Sequence, residues 1–178
     1  NFQGVLNANV SGKTWYLGGI NNTGNINVSN GTVHLAAVSG TGTWTNTGAV
    51  TKGIAVSGGI LNLGDAFNAS ALGNIVQSGS GVVNLTGAMT LNQASTNLST
   101  VGLTSLVVTG GGAEIIGGGN TLTSNGTLAL SVMGGGTLNN VTLATDLNIT
   151  GLAYLSNGLT LAQNATTSNY ATVTLDNG

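Results

Sequence analysis

The sequence predicts an all-β protein wound as a parallel β-helix, a β-solenoid. Three observations carry that expectation. A ten-residue word recurs along the chain: ANVSGKTWYL at 8–17, INVSNGTVHL at 26–35, IAVSGGILNL at 54–63, LVVTGGGAEI at 106–115 and TLTSNGTLAL at 121–130, with an eleven-residue variant, IVQSGSGVVNL, at 75–85. Gly, Asn, Thr and Ser supply 95 of the 178 residues, and all four rank low in helix propensity. Strand-length apolar runs punctuated by Gly and Asn fill nearly the whole chain.

Each word is a short alternating strand, a hydroxyl residue, a small-residue corner and a second strand. In INVSNGTVHL, Ile26 and Val28 face one way and Asn27 the other. Ser29, Asn30 and Gly31 form the corner; Val33 and Leu35 then point inward, with Thr32 and His34 outward. The hydroxyl at word position four recurs as Ser11, Ser29, Ser57, Ser78, Thr109 and Ser124, and is expected to bond the backbone of the turn it starts. Gly31, Gly59, Gly111 and Gly126 at word position six are expected to supply positive φ.

The Asn-Gly and Gly-Gly corners would also suit β-hairpins. Self-similarity at a near-fixed period favours stacked coils instead. Word starts 18 residues apart (8 to 26) and 21 apart (54 to 75) fit a three-sided coil. Steps of 28 (26 to 54) and 31 (75 to 106) imply inserted loops, and the step of 15 from 106 to 121 places one of those two words on a different face. At 18–21 residues per coil, a single solenoid domain over 1–178 is expected to make about nine coils. Inward Val, Ile and Leu would stack lap on lap, and Asn at equivalent positions would form amide ladders, Asn21–Asn22 and Asn139–Asn140 being candidates.

Composition narrows the function classes. Only Lys13, Lys52, Asp65, Glu114, Asp146 and Asp176 carry charge, and there is no Cys, Arg or Pro. Two scattered lysines cannot neutralise a nucleic-acid backbone, so no nucleic acid is expected as a partner. No apolar run approaches the ~18 residues of a spanning helix, and the seven aromatics do not recur as the paired girdles of a membrane barrel, so no membrane insertion is expected. Disorder is disfavoured by an apolar content of 40%. The chain begins at Asn1 without an initiator Met and neither end looks capped. It therefore reads as a segment of a longer protein or a filament subunit, with self-association or continuation through the coil ends.

The segment GTGTWTNTGAVTKGIAVSGGILNLGDA at 40–66 resembles the autotransporter-associated β-strand repeat. More broadly the chain is similar to the passenger β-helices of bacterial adhesins of the filamentous haemagglutinin type, with GGGTLNNVTLATDLNITGLAYLSNGLTL at 134–161 sharing the texture. That resemblance implies a right-handed parallel β-helix, secretion to the cell surface, and adhesive or scaffolding duty. The handedness agrees with the rule for parallel crossovers.

Catalysis is not expected. Acid–base chemistry needs two titratable groups converging on one bond. The four carboxylates are separated by 49, 32 and 30 residues, and the single His34 cannot form a histidine metal cluster. No cofactor or metal is implied. The candidate contact residues are Trp15, Tyr16 and Trp44, which could stack on sugar rings or serve the core, and the alternating row Thr41, Thr43, Thr45 and Thr47. Ice-binding solenoids are similar in using regular Thr arrays. The expectation is a secreted structural or adhesive β-solenoid meeting surface glycans or other host and environmental surfaces. A carbohydrate-binding or carbohydrate-cleaving β-helix is the first alternative, and an ice-binding solenoid the second.

Overall fold

The computed structural model describes residues 1–36, 42–48, 52–126 and 128–176. The chain winds around one axis, and each lap lays its strands parallel to those of the lap before. Lap one contributes β1 (Val5–Ala8), β2 (Thr14–Tyr16) and β3 (Asn21–Asn22); lap two, β4 (Asn25–Val28), β5 (Thr32–Leu35) and β6 (Thr45–Asn46). Lap three holds β7 (Gly53–Val56), β8 (Ile60–Leu63), β9 (Ala66–Asn68) and a 3₁₀ turn at Ala69–Leu72. Lap four has β10 (Ile75–Gln77), β11 (Val82–Leu85), β12 (Ala88–Thr90), β13 (Ser95–Asn97) and the one-turn helix α1 (Leu98–Val101). Lap five has β14 (Ser105–Thr109), β15 (Glu114–Ile116) and β16 (Thr121–Thr123); lap six, β17 (Ala129–Met133) and β18 (Gly136–Ala144). Lap seven has β19 (Leu147–Thr150) and β20 (Ala153–Leu161), and lap eight opens with β21 (Val173–Asp176). No helix among the described residues is long and apolar enough to cross a membrane.

Three faces result. The first is β1-β4-β7-β10 and the second is β2-β5-β8-β11-β14-β17-β19-β21. The third joins β9, β12 and β15 to the first half of β18, and β13 and β16 to its second half, with β20 beyond. β18 runs through the corner of earlier laps by a register shift between Asn139 and Val141, where Asn140 adopts φ 50°. The first face ends at β10; in the next lap Gly102 takes its place, its carbonyl accepting from Gln77 N at 3.1 Å.

The second face sets the pitch. Tyr16, His34, Asn62, Asn84, Val107, Ser131, Asn148 and Thr174 form one unbroken column of paired residues. Its ends lie seven steps and 158 residues apart, about 23 residues per lap. The solenoid therefore has about seven turns, not nine, and at ~4.8 Å per step this face is about 34 Å long. The nine-coil expectation took the shortest word spacings as typical. Real laps run from 17 residues (Ser131 to Asn148) to 28 (His34 to Asn62), because corners absorb extra residues while strands hold register.

The words obey the register in part. Ile26, Ile54 and Ile75 stack as equivalents, as expected. The first word is in register only in its second strand: Thr14 meets Thr32, but Ala8, its first residue, meets Val28, two places on. Its corner simply carries two more residues. The words at 106 and 121 open on the second and third faces, whereas the earlier four open on the first. Val108 pairs with Leu85 on the second face, and Thr121–Thr123 pair with Ser95–Asn97 on the third. The word thus encodes a bend between two strands, whichever faces they belong to.

Two corner expectations are corrected. Of the four glycines at word position six, only Gly126 has positive φ, at 85°. Gly31 is required by close approach, since a Cβ there would overlap the Trp15 ring. Among the hydroxyls at word position four, only Ser124 bonds its own turn, accepting from Gly126 N at 3.2 Å. At the corners of laps two to four the preceding lap holds the turn: the N–H groups of Ser29, Asn30 and Gly31 all donate to Ala8 O at 3.1–3.2 Å, those of Ser57 and Gly59 to Val28 O, and that of Ser78 to Val56 O.

The core is a set of aliphatic columns. Leu35, Leu63, Leu85, Val108, Val132, Ile149 and Leu175 stack in register, as do Phe67, Met89, Ile115, Leu138 and Leu155. Leu63, Leu85, Val108, Val132, Met89, Ile115 and Leu138 are fully buried and Ile149 is half-buried, and burial drives the stacking at ~25 cal/mol per Å² of apolar area. Leu63→Ala leaves a cavity between two packed laps and is expected to cost about 2–5 kcal/mol in urea unfolding. Leu175→Ala, at the exposed end of the same column, is expected to cost under about 1 kcal/mol, because its side chain is 74% exposed.

Candidate functional site

The outward residues form ladders, and these are the surface any ligand meets. On the second face, Asn84 Nδ2 donates to Asn62 Oδ1 at 2.9 Å. Asn62 Nδ2 lies 3.1 Å from His34 Nε2, and the His34 ring stacks on Tyr16 with centroids 4.6 Å apart and planes 18° from parallel. On the first face Asn27 Nδ2 donates to Asn7 Oδ1 at 2.8 Å. On the third, Asn157 donates to Asn139 Oδ1 at 2.8 Å and Asn139 to Glu114 Oε1 at 2.9 Å, while Asn97 donates to Asn125 Oδ1 at 2.7 Å.

Amides suit this geometry because each carries donor and acceptor, so one stacked on its equivalent satisfies both. The ladder continues inside the coil. Buried Asn22 donates to Asn46 Oδ1 at 2.9 Å, and Asn46 Nδ2 donates to the carbonyls of Leu72 and Asn74, both at 2.8 Å. Asn22 and Asn139 were expected ladder members; Asn21 instead accepts from Thr45 and Thr47, both at 2.8 Å.

The expected contact residues divide. Tyr16 is exposed and stacks on His34; Trp15 is half-buried over Gly31. Trp44 belongs to the core, 2% exposed, packed on Phe67 at 4.5 Å, its Nε1–H donating to Gly64 O at 3.0 Å. Thr41 lies outside the described residues. Thr43 is exposed, Thr45 half-buried and Thr47 exposed, and the last two converge on Asn21 instead of presenting free hydroxyls.

Sequence reasoning missed a cleft of about 290 Å³ beside the last laps, walled by Ser124, Leu128, Thr145, Asp146, Thr167 and Tyr170. Asn164 builds it. Its side chain is buried, donating to Ser124 O at 3.0 Å and Ala144 O at 2.6 Å and accepting from the N–H groups of Thr166 and Thr167 at 2.8 and 3.1 Å. The loop it anchors projects Tyr170, which is 69% exposed. Asp146 Oδ1 fixes the return strand by accepting from Thr172 N and Oγ1, each at 2.9 Å. A signal existed: QNATTSNY at 163–170 breaks the apolar alternation, as a loop does. Which laps that loop spans was not readable without the register.

No protein-family model, curated protein or solved structure matches the chain.

Two measurements test the ladders. Asn62 Oδ1 already accepts from Asn84, so Asn62 turns its NH₂ toward His34, and the ring nitrogen it meets is an unprotonated acceptor. Partial burial likewise lowers the His34 pKa from its ordinary 6.5. The fold therefore favours the neutral ring. Its contribution is complete above pH 6.5 and is lost as pH falls through that value toward the lower folded one. The melting temperature is expected to drop over that window, and His34→Asn, which extends the amide column, is expected to flatten the drop. Asn46→Leu strands Asn22 Nδ2 and the buried Leu72 carbonyl and is expected to cost at least about 2 kcal/mol in urea unfolding.

Proposed function

We propose that this chain is a non-catalytic structural and adhesive module, secreted and displayed at a bacterial surface or along an extracellular filament. The observation that carries this reading is the outward amide and hydroxyl ladder. Its side chains are held by one another at lap spacing, giving stiff, sparsely charged walls rich in hydrogen-bonding groups. Such a wall adheres by many weak polar contacts summed over area. The ionisable groups are spread along the axis: Asp65 follows β8, Glu114 lies in β15, Asp146 precedes β19 and Asp176 ends β21. That dispersal supports a scaffold more than a reaction centre. The resemblance of residues 40–66 to the autotransporter-associated repeat points the same way.

A second reading is favoured by the cleft at Tyr170. An exposed aromatic ring facing a carboxylate and hydroxyls is the recognition chemistry of a sugar: the ring stacks on C–H faces and the polar groups bond its hydroxyls. Binding there would make this a carbohydrate-binding solenoid without changing the scaffold role.

Beads coated with the chain are expected to retain polysaccharide-coated or cellular surfaces, while a polysaccharide panel incubated with the soluble chain yields no new reducing ends. Release of such ends, abolished by Asp146→Asn, overturns the non-catalytic reading. Failure to retain any surface overturns the adhesive one. Tyr170→Ala is expected to leave general adhesion within two-fold and to remove any saccharide selectivity.

A further inference from the structure

The amide ladder of the first face lacks one rung, and we infer that the gap is a binding site for the acetamido group of an N-acetylated amino sugar. The inference rests on the adhesive reading above for its setting, a glycan-bearing surface. It adds where one contact is made and by what chemistry.

The register shows the gap. Two outward columns climb the first face through laps two to four. One runs Asn27, Ala55, Val76. In the other, Asn25 pairs with Gly53, and Asn74 stands opposite Gly53 because Ile75 pairs with Ile54. On the second face the same three laps carry His34, Asn62 and Asn84, each hydrogen-bonded to the next. On the first face lap three presents only a hydrogen and a methyl. The result is a hollow of about 260 Å³ on the flank of the rod, with Lys52 at its rim. Asn25 and Asn27 form one wall, and Asn74 and Val76 form the other, two laps or ~10 Å away.

The gap is built into the backbone. Gly53 has φ 144°, and a Cβ there would overlap the carbonyl oxygen of Asn74. No side chain fits the rung at 53 without moving lap four.

The polarity is that of an unfinished ladder. Asn27 Nδ2 donates to Asn7 Oδ1 at 2.8 Å, which turns Asn27 Oδ1 toward lap three. Among the described residues no protein donor meets that oxygen, and the Asn25 side-chain amide has no protein partner. An occupant that restores the ladder therefore offers an N–H to Asn27 and an acceptor to the next donor. It also sets an apolar group against Ala55 and Val76, the latter 50% exposed. An acetamido group holds all three parts in one plane. Its N–H donates to Asn27 Oδ1, its carbonyl accepts from the Lys52 ammonium, and its methyl covers Val76. Asn25 then meets a ring hydroxyl. A plain hexose has no amide to offer. In an Asn or Gln side chain the carbon beside the carbonyl is tethered to its own backbone, whereas the acetamido methyl is a free end that reaches the floor of the hollow.

Ligand-observed NMR titration of the full chain with N-acetylglucosamine is the test, with glucose, glucosamine and propionamide as comparators. N-acetylglucosamine is expected to bind, and each comparator to bind at least about ten-fold more weakly. Ala55→Asn supplies the missing rung from the chain itself. It is expected to hold or raise the melting temperature while weakening N-acetylglucosamine binding at least about ten-fold. Asn27→Ala keeps the hollow open, removes its acceptor and is expected to weaken binding about as much. Saccharide selectivity that arises in the Tyr170 cleft is distinct from this binding, which Tyr170→Ala is expected to leave within two-fold. Absence of N-acetylglucosamine binding, equal binding of glucose or glucosamine, or undiminished binding by Ala55→Asn overturns the inference. Propionamide binding as tightly overturns it in favour of a peptide amide. Where coated beads still retain surfaces, that failure belongs to this inference alone. Sugar binding without retention of any surface overturns the adhesive reading and leaves the site standing.

Discussion

Everything in this structure follows from parallel, in-register stacking of each lap on the one before. A residue's nearest neighbour off its own strand is its counterpart one lap away, at ~4.8 Å. Such an arrangement admits side chains that tolerate their own kind. Aliphatics do, and make the core columns; amides do, and make the ladders from Asn27 to Asn7 and from Asn84 to Asn62. Charges do not, because like charges at that spacing repel. A charged fraction of 3% is what that selection leaves, and Glu114 and Asp146 meet neutral groups of the next lap, Asn139 and Thr172.

The same constraint explains what could be read from the sequence. Period-2 alternation within a word and recurrence of the word are local, and both survived: Ile26, Ile54 and Ile75 stack as their positions in the word imply. The amide ladders were legible as a class for the same reason. Lap length was not, because a corner is held by backbone groups of the previous lap, as Ala8 O holds residues 29–31, and so imposes no fixed count of residues. The word itself hid its face. It specifies strand, bend and strand, and the chain uses that unit between different faces after β10 ends the first one.

The candidate surface was less legible than the fold. Alternation sets the adjacent Trp15 and Tyr16 on opposite sides of one strand but does not say which is outward, and it leaves Trp44 unplaced, because alternation fixes sidedness only where the strand is already known. Trp44 lies beside the two-residue strand β6 and fills the core against Phe67. Two of the four alternating threonines share one acceptor, Asn21, a residue 24 and 26 positions away that no local pattern associates with them. The Tyr170 cleft depends on Asn164 reaching Ser124, 40 residues back. Contacts of that span become readable only once the winding is known.

Laps of 17 and 28 residues coexist in one continuous column, and this has a meaning for how such a protein changes over time. Shape and decoration are inherited separately. A corner lengthened by insertion projects a new loop without shifting any strand it joins, much as Gln163 to Tyr170 already does on the last complete turn. Lineages can therefore remodel what the rod displays to its surroundings while the rod keeps the same girth and the same stride.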